Sequence, residues 1–67
     1  MKKLTLYRVD VVRVQLGNAV GLFVWEVCAL YTGTDLSTNR RQSAESYADA
    51  VALAALVPVE IEAEFKP

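Results

Sequence analysis

Histidine is absent from this sequence of 67 residues, and cysteine and tryptophan occur once each. Without His, the usual general base and the commonest metal ligand are missing. A single thiol closes no intramolecular bridge, so a disulfide scaffold is excluded. One Cys and no His also leave a zinc ion without a ligand set. Glycine is scarce, at three residues. No GxxxxGK run or other glycine-rich phosphate fingerprint appears. Charge of either sign is in no excess: seven Lys plus Arg stand against eight Asp plus Glu, for a net charge of −1. Nucleic-acid modules usually carry a clear basic excess, because phosphate neutralisation supplies much of their affinity. Nucleic acid is therefore not the favoured partner. The most apolar early run, residues 19–31, is interrupted by Glu26 and too short to cross a bilayer, so no membrane association is expected. Arg8 and Asp10 break any leader-like stretch after Lys2 and Lys3. A lone thiol and no leader point to a reducing cytoplasm.

What is present is apolar. Hydrophobic residues make up 54% of the chain, which excludes disorder and leaves room for one small core. Residues 3–16, KLTLYRVDVVRVQL, are rich in strand formers. Their alternation is imperfect, and a bulge near Arg8 to Asp10 would account for it. Gly17 and Asn18 supply turn chemistry. Residues 19–31, AVGLFVWEVCALY, form a second strand, apolar on both faces except at Glu26. The polar segment 32–42 is assigned to a loop. A helix follows, capped by Asn39 with Gln42 or by Ser43, and ended by Pro58. Residues 59–65 alternate cleanly, with Val59, Ile61, Ala63 and Phe65 inward and Glu60, Glu62 and Glu64 outward.

The expected fold is α+β in a single domain, 1–67. A three-stranded antiparallel sheet in the sequence β-β-α-β, with spatial order 2-1-3, carries one helix on one face. That order obeys the right-handed crossover rule. One helix covers one sheet face and leaves the other bare. The second strand would then be an edge, with an aromatic surface of Phe23, Trp25, Val27 and Tyr31 open to a partner. A chain this small has little core of its own, and a two-fold homodimer is the simplest remedy.

No catalytic constellation is visible, and neither an enzyme activity nor a cofactor is expected. Cys28 reads as a buried inert thiol, since it has no base. Glu60, Glu62 and Glu64 form either a wetted outer face, neutralised by Arg8 or Arg13, or an acidic surface for a partner. Arg40 and Arg41, set beside a helix start, are candidates for anion contact. Two functional readings follow. The first is a non-enzymatic protein-interaction module, homodimeric, that binds itself and another protein. Its size, its Met1 start and its missing chemistry give it the general character of small phage inhibitors of host complexes, anti-CRISPR factors among them. The second is a nucleic-acid-binding accessory protein, with Arg8, Arg13, Arg40 and Arg41 on phosphates and tyrosines stacked on bases. A third possibility is a subunit of a larger assembly joined through edge strands.

Overall fold

In a computed structural model, residues 2–18 and 20–63 are described, the last by its backbone alone. The chain runs β1 (Lys2–Gln15), β2 (Phe23–Thr32), β3 (Ser37–Ala44), α1 (Tyr47–Ala55) and β4 (Glu60–Ala63). All four strands lie in one antiparallel sheet, in the order β3-β2-β1-β4.

This corrects the three-stranded expectation. The segment read as a loop contains β3, whose partners on β2 run from Trp25↔Ala44 to Thr32↔Ser37. Its sequence, STNRRQSA, has no apolar alternation because it is an edge strand held by backbone hydrogen bonds. Such bonds leave no side-chain signature. The second strand is consequently not an edge: β2 sits between β1 and β3. The outer strands are β3 and β4.

The irregular alternation of β1 has a single cause. The register slips between Leu6 and Arg8, and the phase of the strand reverses there. Before the slip Leu4 and Leu6 face the core; after it Val9 and Val11 do. The bulge falls at Tyr7, just ahead of the Arg8–Asp10 position expected. At the far end the hairpin turns between Gln15 and Phe23, with Gly17 at φ 54° and Gly21 at φ 84°. Both angles are ones that side-chain-bearing residues adopt rarely.

The helix is shorter than its apolar composition suggests, and neither Asn39, Gln42 nor Ser43 caps it. Ser46 does: its Oγ accepts from the Asp49 backbone N–H at 3.1 Å. At the other end the Leu56 N–H donates to Leu53 O and the Val57 N–H to Ala54 O, closing the last turn before Pro58. The connection from β3 through α1 to β4 thus crosses one sheet face from edge to edge. Under it lies a core of two contiguous groups. Leu4, Ala29, Tyr31 and Ile61 form one; Val27, Ala44 and Ala50 form the other, and Val9 and Val57 pack against both. Tyr31 is fully buried, and its hydroxyl donates to the Pro58 carbonyl at 2.7 Å.

Candidate functional site

Strand alternation divides the sheet into two surfaces of different character. Leu4, Leu6, Val9, Val11, Trp25, Val27, Ala29, Tyr31, Ala44 and Ile61 turn toward α1. The other surface carries Arg8, Asp10, Val12 and Val14 from β1, Val24, Glu26, Cys28 and Leu30 from β2, and Asn39, Arg41 and Ser43 from β3. Cross-strand rows on it are Asp10–Cys28–Arg41, Val12–Glu26–Ser43 and Arg8–Leu30–Asn39. No element among the described residues lies over this second surface. Val14, Val24, Cys28 and Leu30 are nonetheless half-buried, because their neighbours within the sheet shield their flanks. Arg8 Nε meets Asp10 Oδ2 at 2.9 Å along the strand.

The residues expected to form a partner surface are separated by the fold. Val27 is 1% exposed and Tyr31 0%, so both are interior to the chain's own core and offer no surface. The added strand β3 and the helix enclose them. Trp25 is half-buried and meets the Tyr47 ring edge-on, with centroids 5.0 Å apart. Phe23 is exposed near the hairpin end, and the Arg13 guanidinium lies 4.5 Å from its ring centre. Glu60 and Glu62 are exposed on β4. Glu60 is neutralised by Lys3, 3.5 Å away, and not by Arg8 or Arg13, which are engaged elsewhere. Glu64 lies outside the described residues.

Arg40 and Arg41 do not flank a helix start. They are consecutive on β3, so alternation sends them to opposite faces of the sheet. Both nevertheless border one pocket beside the C-terminal half of α1. Cys28 is also misplaced by the sequence reading: it is half-buried on the uncovered face and not in the core. The Asp35 carboxyl is held below the ordinary aspartate range by a hydrogen bond from Lys2 Nζ, at 2.7 Å, and by its charge.

Among the described residues no group of three or more His, Cys, Asp or Glu side chains converges as a metal site. No helix there is long and apolar enough to cross a membrane. No family model, characterised protein or solved structure matches the chain.

Proposed function

We propose that the chain is a non-catalytic interaction module whose first partner is a second copy of itself, docked on the uncovered sheet face. The observation that carries this reading is that face: a surface holding Val12, Val14, Val24, Cys28 and Leu30 with no layer over it. Uncovered apolar surface of this kind marks association sites on soluble proteins. The molecule, a curled half-barrel, measures 41 × 26 × 14 Å. Its broad side therefore has room for the roughly 800 Å² per partner that a standard interface buries.

The charges on the face favour a copy over an unrelated partner. The row Asp10–Cys28–Arg41 has an acid at one end and a base at the other. A two-fold axis along β2 sets β1 of one copy over β3 of the next. Each Asp10 then faces an Arg41, and the apolar residues of β2 meet at the centre. Sheets stacked face to face in this way pack about 10 Å apart.

The nucleic-acid reading has less support. Arg8 is bonded to Asp10, Arg13 covers Phe23, and Arg40 and Arg41 point to opposite faces. Among the described residues these four arginines do not share one open basic surface.

Size-exclusion chromatography with light scattering tests the proposal. A dimer is expected at micromolar concentration, and Leu30→Glu, which leaves the core intact, is expected to give a folded monomer. A wild-type chain that stays at 7.4 kDa at all concentrations would remove it.

A further inference from the structure

On the opposite side of the sheet lies a pocket of about 440 Å³, between the C-terminal half of α1 and the β2–β3 pair. Its origin is local. The helix has nine residues, and β3 presents polar side chains toward it where β1 and β2 present apolar ones. The floor is Val27 and Ala29, the helix wall is Leu53 and Leu56, and the β3 rim carries Arg40 and Gln42. The register places Ala29 across from Arg40 and Val27 across from Gln42, so both polar side chains stand on the helix face. Leu56 is 78% exposed, an apolar wall left wet.

The polar groups at this pocket carry no negative charge. No acidic residue lines it, and Arg40 makes no ion pair among the described residues. The Tyr31 hydroxyl is already given to the Pro58 carbonyl. The last helical carbonyls are met by the Leu56 and Val57 N–H groups. What remains for a ligand is a guanidinium fork and an amide above an apolar floor.

We propose that this pocket binds a small amphipathic carboxylate, with its alkyl part against the accessible Leu53, Leu56 and Val57 side chains and its carboxylate on Arg40. The volume lies within the range of small-molecule sites. A planar guanidinium matches a carboxylate with two parallel N–H···O bonds. Arg41 also borders the pocket, but its register opposite Cys28 turns its side chain to the other face. Among the described residues Arg40 is then the cation that stands at the rim, and a single headgroup charge is balanced. A phosphate dianion would lack its second cation. This site is on the face that self-association leaves free, so it does not depend on the dimer.

Decanoate, kept below its micelle-forming concentration and titrated into the ¹⁵N-labelled full chain, is the test. Saturable amide shifts are expected around Arg40, Gln42, Leu53 and Leu56, and not along Val12, Val14 and Val24. Arg40→Gln should weaken decanoate by about tenfold, the size of a lost charge-assisted hydrogen bond. The same variant should leave decanol binding unchanged, and Arg41→Gln should leave decanoate binding unchanged. Leu56→Ser, at an exposed position the fold tolerates, should weaken decanoate and decanol alike. Absence of saturable shifts would overturn the site. Binding indifferent to Arg40→Gln, or decyl phosphate binding more tightly than decanoate, would overturn the carboxylate assignment.

Discussion

Tyr31 and Pro58 are joined by a 2.7 Å hydrogen bond that spans 27 residues of chain. It ties the C-terminal end of β2 to the segment leaving the helix, and it is made by a ring with no exposed surface. Two elements that could slide past one another are pinned at this point. Tyr31→Phe keeps the ring and removes the bond, and should cost about 1 kcal/mol in urea unfolding. Tyr31→Ala also empties the core and should cost about 3–5 kcal/mol, by analogy with other buried aromatics. A Tyr31→Phe variant as stable as the wild type would show that the ring acts only by filling space.

The first turn of α1 depends on Ser46. Replacing it by Ala leaves the Asp49 N–H without its partner and should destabilise by about 1 kcal/mol. For a domain of this size that lowers the melting temperature by roughly 4–8 °C. Ser46→Asp should keep most of the stability, since aspartate caps equally well and suits the helix N-terminus.

Gly33 closes the β2–β3 connection, with its N–H donating to Leu36 O at 2.7 Å. A Cβ built there would come within 2.7 Å of Leu4 Cδ2. Leu4 is fully buried, so its side chain has little room to withdraw. Gly33→Ala should therefore cost about 1–3 kcal/mol as an overpacked core position, measured by thermal melting. An unchanged melting temperature would mean that Leu4 repacks freely.

Trp25 is the sole tryptophan, and it reports on the helix start through its contact with Tyr47. Tyr47→Ala uncovers the indole and should move its fluorescence emission to longer wavelength. The loss of the ring pair should lower stability by roughly 0.5–1.5 kcal/mol, apart from the area exposed.

Acid should weaken the clamp between Lys2 and Asp35. The folded carboxyl titrates below its unfolded value because Lys2 favours the charged form. The stabilisation is thus complete above the unfolded pKa and is lost as pH falls through the folded one. The pair is exposed, so the effect is small and screened by salt. Carboxyl NMR titration should find Asp35 below the ordinary range, and Lys2→Met should raise it back toward that range.

Self-association carries its own signature at Glu26. A two-fold axis along β2 brings the two copies of this residue toward each other, and like charges opposed in this way are destabilising. Glu26→Gln should tighten the dimer by roughly a few-fold, read by sedimentation at several concentrations. A weaker dimer would displace the axis from β2.

The strand character of 3–16 and 23–31 was legible because β-branched and aromatic residues dominate both. The reversal of face in β1 was legible as a disturbance but not as a slip at Tyr7, since only pairing with β2 fixes the register. The two arginines illustrate the opposite limit. Arg40 and Arg41 were visible as a pair of charges, yet their separation onto two faces appears only once 37–44 is known to be a strand.

The sequence by itself determined an apolar chain with one helix, no histidine chemistry, a lone thiol and more greasy strand than nine helical residues cover. Its local patterns record which side chains avoid water. Tertiary structure alone decided that a polar segment becomes the β3 edge, that Val27 and Tyr31 go inside, and that Cys28 stays on the bare face. The reason is that backbone pairing between distant segments is nearly blind to side-chain type, so it places residues where no local period foretells.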